Sequence, residues 1–196
     1  MTDQVQICNM ALMGIGANPI SSLTEGGTEA DLCSLFWEPV LKEVLADHKW
    51  NFAKKWVSLA EIDSYSFVDE EYSYAYQLPA DYIRMSRLED KDSQYEIRGS
   101  VLFCNLEEAI CEYIYYEDDP TKLPPYFVTA FVIRLKAELS IPLSKKGSKT
   151  IDYIKLYSGM ALPRAKTLDA QDTFPSQDSI YRHTEENDTW LNVRDS

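Results

Sequence analysis

Apolar residues return along the first part of the chain at the three- and four-residue intervals of a helix. Val5, Ile7, Cys8, Ala11, Leu12 and Ile15 share one face from Asp3 onward, and Gly14 and Gly16 supply a stop, which predicts a short first helix. Ala17 to Leu23 reads as extended loop. Thr28, Glu29, Ala30 and Asp31 offer a cap with acid in the first turn, and a second helix is predicted to about His48, burying Leu32, Leu35, Phe36, Val40, Val44 and Leu45. Pro39 lies inside that stripe and predicts a kink or one lost hydrogen bond.

Between Trp56 and Tyr116 the repeat shortens to the two-residue alternation of half-buried strands. Tyr72, Tyr74, Tyr76 and Leu78 alternate with smaller polar residues, and Ile83 to Leu88 and Ile110 to Tyr116 read as further strands. Gln94 to Arg98 and Val101 to Cys104, joined by Gly99 and Ser100, predict a hairpin. Helical spacing then resumes. Pro124 and Pro125 open a strongly apolar third helix ending at Pro142, whose apolar residues, Phe127 and Phe131 among them, predict a helix nearly surrounded by its own bundle or by that and a neighbouring subunit. Ser144 caps a fourth helix from Lys145 to about Leu168, with Ile151, Ile154, Tyr157 and Ala161 on its inner face and Lys145, Lys146, Lys149 and Lys155 outward. Gly159 and Pro163 weaken its later turns.

The order of elements predicts an α+β fold: mainly an antiparallel helical bundle from residues 1–56 and 121–169, with a small antiparallel β-sheet or sandwich inserted at 57–120. Residues 170–196 form an extended C-terminal tail. That tail is too polar to build a core, yet it carries Phe174, Tyr181, Trp190 and Leu191 as isolated apolar anchors, the pattern of a segment that orders on a partner or folds back on its own protein.

Composition sharpens this picture. With 196 residues, 45% hydrophobic and only 7 Gly and 9 Pro, the chain is a folded globular protein, neither collagen-like nor generally disordered. No positive charge precedes Lys42 and no run reaches the length of a membrane span, so the sequence predicts a soluble chain without a secretory leader or membrane anchor. Its net charge of −13 repels phosphate and argues against gripping nucleic acid, while suiting a channel through which DNA must slide. The acid is concentrated: residues 61–120 hold 16 Asp and Glu against 4 Lys and Arg, whereas 121–169 hold 9 Lys and Arg against 3 Asp and Glu. These regions either meet as opposite faces, within a subunit or between neighbours, or are simply solvated.

Candidate chemistry is thin. Cys8, Cys33, Cys104 and Cys111 make no Cys-x-x-Cys pair, and with only His48 and His183 they complete no usual zinc set, so no metal or cofactor is expected and the thiols read as reduced. Gly14-Ile15-Gly16 lacks a third glycine and Gly26-Gly27 lacks a following Lys, so neither is a phosphate loop. Carboxylates at Glu107, Glu108, Glu112, Glu117, Asp118 and Asp119 leave one enzymatic alternative open, a carboxylate-dependent cell-wall (peptidoglycan) hydrolase associated with a phage tail, although adjacent acids are expected in so acidic a chain.

Four blocks carry a family resemblance. Ala11-Leu12-Met13-Gly14-Ile15-Gly16-Ala17-Asn18-Pro19-Ile20 with Leu23, Ala46-Asp47-His48-Lys49-Trp50-Asn51-Phe52-Ala53, Tyr76-Gln77-Leu78-Pro79-Ala80-Asp81-Tyr82 and Asp188-Thr189-Trp190-Leu191 resemble the head-to-tail adaptor (tail tubular protein A) family of short-tailed bacteriophages. The Trp-Asn-Phe and Gln-Leu-Pro-x-Asp blocks are the more specific; the Tyr-rich acidic insertion and Pro163 depart from commoner members. The resemblance implies a non-enzymatic structural virion protein at the head-tail junction, assembled in the bacterial host cytoplasm as a ring of about twelve copies. Its implied partners are further copies of itself, the portal protein, the tail nozzle protein and tail fibres, and genome DNA passes through the channel without sequence-specific binding. Within that frame Phe174, Tyr181, Trp190 and Leu191 are expected to dock on the portal. Phe127, Phe131, Lys145, Lys146, Lys149 and Lys155 are expected at the subunit interface, and Trp50, Phe52 and Trp56 at the junction of bundle and sheet.

Overall fold

A computed structural model describes residues 3–62, 71–143 and 148–172. Helix α1 (Gln4–Ile15) starts where the Asp3 carboxylate accepts the Gln6 N–H at 2.7 Å. It stops at Gly16, whose φ of 80° places the chain in the left-handed region that closes a helix. Helix α2 (Thr28–Ala46) runs through Pro39 without a break. Pro39 lies on the exposed face, so the carbonyl that it leaves unpaired can be met by water.

The buried stripe of α2 differs from the one the sequence suggests. Ala30, Cys33, Trp37, Val40, Leu41, Val44 and Leu45 face the core, Leu32 and Phe36 are half-buried, and Leu35 is 62% exposed. Two helical stripes compete on this segment. The one carrying Trp37, whose indole meets the Phe131 ring edge-on at 4.9 Å, buries the larger surface and wins.

A one-turn 3-10 helix (Asn51–Ala53) leads into β1 (Lys54–Ser58) and the short β2 (Ala60–Glu61), neither of which the sequence pattern signals. Then follow β3 (Tyr74–Gln77), β4 (Tyr82–Leu88), β5 (Tyr95–Arg98), β6 (Val101–Cys104) and β7 (Ile110–Tyr115), close to their expected places. The strands form two antiparallel sheets, ordered β1-β7-β4 and β2-β3-β6-β5, with β5 and β6 paired as the expected hairpin.

The fold is thus mixed helix and sheet, α+β, and β7 explains how its layers join. Alternation along β7 sends Cys111 and Tyr113 into a core shared with Tyr76, Leu78, Leu102 and Cys104 of the second sheet region. Ile114, pointing the other way, joins the core built by the helices. The first sheet is a common wall between both cores.

Helix α3 (Pro125–Leu143) opens at the expected proline, and Pro142 sits inside its last turn instead of ending it. After residues 144–147, which lie outside the described set along with the expected Ser144 cap, α4 (Ser148–Leu156) passes through a π-helical turn (Tyr157–Ala161) into α5 (Leu162–Gln171). Leu162 donates its N–H to the Tyr157 carbonyl, five residues back. Pro163 has no N–H for the Gly159 carbonyl, and the ladder slips by one residue just ahead of it. Tyr157 and Ala161 are buried as expected, but Ile151 and Ile154 are exposed, because α4 turns Thr150 toward Ser140 of α3 at 2.6 Å and Tyr153 toward the Gly14 carbonyl of α1.

Candidate functional site

The residues of the Trp-Asn-Phe block converge on the place where helices, first sheet and chain exit meet. Trp50 is fully buried; its indole N–H donates to the Val44 carbonyl at 2.8 Å, and its ring meets Phe127 edge-on at 5.1 Å. Phe52 packs on Phe127 at 4.9 Å. These two rings therefore lie at the boundary of the helices with the sheet side, sharing their core with Ile114 of β7.

Asn51 between them reaches the far end of the chain. Its backbone N–H donates to both Asp169 carboxylate oxygens at 3.0 and 3.2 Å, and its side-chain amide donates to the Asp169 carbonyl at 2.7 Å. The Tyr126 hydroxyl at the start of α3 donates to Asp169 at 3.0 Å and to Asp172 at 3.2 Å. His48 completes the group, with Nε2 3.3 Å from the carboxylate. Asp169, 1% exposed on α5, thus fastens α5 to the turn before β1 and to the start of α3. Burial, reinforced by Asp169 and then Asp172, raises the Tyr126 pKa and keeps the phenol a donor. Burial pushes His48 down; Asp169 opposes this, and Lys166 and Lys54 add to the downward push. Beside this latch a groove of about 360 Å³ runs between α3 and α5, lined by Tyr126, Thr129, Ala161, Arg164 and Leu168 among others.

The Gln-Leu-Pro-x-Asp block acts on the opposite side of the first sheet. Asp81 accepts from Lys55 on β1 at 2.9 Å and from the Tyr113 hydroxyl on β7 at 2.8 Å, and its carbonyl takes the Tyr116 N–H at 2.7 Å. Partial burial would raise its pKa, but the bonds from Lys55 and Tyr113 outweigh it and hold Asp81 below the ordinary carboxylate range. The C-terminal end of α2 is tied to the same sheet: Arg84 donates to the Ala46 carbonyl at 2.8 Å, a cation on the negative end of a helix.

Several expected site residues stand elsewhere. Phe127 and Phe131 have no exposed surface and belong to the core of the subunit, not to a face that a neighbour could touch, because α3 is already surrounded by α1, α2 and α5. Trp56 is 49% exposed on the edge strand β1 with the Arg87 guanidinium over its ring at 5.1 Å, so it does not plug the junction as Trp50 does. Lys149 and Lys155 are exposed on α4. Lys145, Lys146, Phe174, Tyr181, Trp190 and Leu191 lie outside the described residues. The sequence reading missed Asp169 and Tyr126. The available signal was an isolated Asp in an otherwise basic helix.

Two of the candidate carboxylates hold local structure together. Glu112 accepts from the Ser86 hydroxyl at 2.7 Å with Arg87 at 3.4 Å. Glu117, 3% exposed, accepts from the Tyr115 hydroxyl at 2.6 Å and pairs with Lys122 at 3.1 Å. Burial favours protonation of Glu117, but those bonds outweigh it and lower the pKa, the opposite of what a general acid needs. Among the described residues no group of three or more His, Cys, Asp or Glu side chains is placed to hold a metal, and no helix is long and apolar enough to cross a membrane. No protein-family model matches the chain, and no curated protein matches it either.

Proposed function

We propose that this chain is a structural subunit of a bacteriophage head-to-tail adaptor of the tail tubular protein A type. In this reading, residues 1–56 and 121–169 form an antiparallel bundle, 57–120 a β insert, and the tail beyond α5 docks on the portal protein. Copies close into a ring of about twelve that extends the DNA channel toward the nozzle and performs no catalysis. The basic outer face of α4 meets acidic surface on a neighbouring copy.

The observation that carries the reading is the placement of the two most specific family-like blocks. Trp50-Asn51-Phe52 and Pro79-Ala80-Asp81 hold helices, sheet and chain exit together, as expected of blocks whose value to a family is architectural. The net charge of −13 adds support, since an acidic wall does not retain passing phosphate. Exposed Ile151, Ile154 and Met160, beside Lys155, give the subunit an apolar and basic surface suited to contact.

Binding of the full chain to its cognate portal protein tests the docking step. Removing residues 173–196 should abolish attachment while leaving helix content intact, and Trp190→Ala should weaken it by roughly 2 kcal/mol or more, as truncating an aromatic anchor does. Unchanged attachment after the deletion would remove the tail from the mechanism.

A further inference from the structure

Helix α4 is open around most of its circumference. Thr150 and Tyr153 turn inward, with Tyr157 in the turn that follows, while Ile151 is 57% and Ile154 45% exposed, three residues apart on one face with Lys155 beside them. Lys149 and Leu156 are exposed as well. Single apolar residues on a surface are ordinary, but several on one short helix mark a contact. Lys149 and Lys155 make no ion pair among the described residues. An occupant that matches this face brings carboxylates together with an apolar group.

The chain carries such a surface at one end of its sheets. The Glu89 N–H donates to the Ile110 carbonyl at 2.9 Å, which sets the connection after β4 beside the connection before β7. Tyr95 at the start of β5 pairs with Cys104 at the end of β6 and so stands at the same end. This tip presents Glu89, Asp90, Asp92, Glu107 and Glu108, all exposed, against Lys91 alone. Asp90 is engaged in its own turn, accepting from the Ser93 hydroxyl at 2.7 Å and the Asp92 N–H at 3.1 Å. Glu89, Asp92, Glu107 and Glu108 make no ion pair among the described residues, and Tyr95 beside them is 39% exposed. From Ile110 at the tip to Ile114 in the helical core, β7 spans about 13 Å, so the tip stands clear of that core.

We propose that the sheet tip of one copy docks on α4 of a second copy, with Tyr95 against Ile151 and Ile154 and the tip carboxylates facing Lys149 and Lys155. Both surfaces stay uncovered within one subunit, and each lacks what the other supplies. One is apolar with unpaired cations, the other an aromatic ring among unpaired anions. Because the two patches differ, the contact is head to tail: every copy keeps a free tip on one side and a free α4 on the other, to which further copies add. The proposal deepens the adaptor reading by naming the acidic surface that α4 meets, and it rests on that reading for closure into a ring.

Sedimentation velocity of the full chain at low ionic strength, where exposed charges act over their longest range, tests the contact. Wild type should associate with rising concentration and dissociate as salt is added. A helix variant, Lys149→Glu with Lys155→Glu, and a tip variant, Glu107→Lys with Glu108→Lys, should each associate at least about tenfold more weakly, since like charges then face each other. An equimolar mixture of the two should recover association, because each reversed surface matches the other variant's reversed surface and the unreversed pair still fits. Recovery requires both variants to be folded, so the mixture is its own control. A wild type that stays monomeric at every concentration, variants that associate as wild type does, or a mixture that fails to recover would each overturn the proposal. A tip variant that alone associates normally would do the same and would assign α4 to the α4 of another copy. Monomeric wild type that still forms rings on the portal would overturn this contact and leave the adaptor reading standing; association through these surfaces without portal binding would count against the adaptor reading alone.

Discussion

Replacing Asp169 with Ala deletes the acceptor shared by the Asn51 N–H and the Tyr126 hydroxyl. A buried donor deprived of its partner costs about 1–3 kcal/mol. Asn51 is only half-buried and the small alanine admits water, which pulls each loss toward the lower end, so the sum is about 2–4 kcal/mol. Asp169→Asn retains one oxygen but turns an amide N–H toward donors, and about 1–2 kcal/mol is expected. Urea unfolding followed by tryptophan emission reads both, with the slope unchanged if only the native state is affected. Against a total stability of about 5–15 kcal/mol, the alanine variant should move the midpoint conspicuously. A loss within about 0.5 kcal/mol of wild type, the range of ordinary surface changes, would refute the claim that this carboxylate holds α5 in place. Tyr126→Phe, alone and combined with Asp169→Ala, isolates one arm, and strict additivity would show that the two groups do not act together.

Other expectations follow from the same geometry. Leu41→Ala should cost about 2–5 kcal/mol, and Leu35→Ala no more than about 0.5 kcal/mol; equal losses in urea titrations would contradict the observed face of α2. Trp50→Ala should cost about 3–5 kcal/mol, and retention of a wild-type thermal midpoint would show that the junction closes without the indole. Because the folded state holds His48 below its ordinary pKa, the unfolded chain takes up that proton first as pH drops. Stability from this group therefore falls as pH decreases from about 6.5 toward the lower folded value. His48→Gln should flatten this part of a melting-temperature profile, and a profile identical to wild type would remove His48 as its source. Asp81 and Glu117, both held low, contribute stability above their unfolded pKa values and lose it in a more acidic window, as pH falls through their folded values.

Much of this fold was legible because local patterns and tertiary demands agree. Asp3 and Gly16 bound α1 where a cap and a glycine stop belong, and Gly99 turns the β5–β6 hairpin with φ of 63°. Failures came where two patterns competed or none existed. Residues 54–61 read Lys-Lys-Trp-Val-Ser-Leu-Ala-Glu, without clean alternation, because an edge strand has little to bury on either face. Leu35 and Leu41 both fit helical stripes, and only the partner surface chooses between them. Ile151 and Ile154 were placed inward by the same reasoning that correctly placed Tyr157; the site they would have filled is taken by Tyr153, whose hydroxyl reaches the Gly14 carbonyl at 3.1 Å. The Asp169 latch joins positions 118 residues apart, beyond what local periodicity can report.

The adaptor account is tested most directly by the mass and negative-stain appearance of the purified full chain, alone and mixed with its cognate portal protein. The account predicts closed rings of about twelve copies seated on the portal. A well-folded chain that forms no ring under either condition and leaves the portal bare would contradict it.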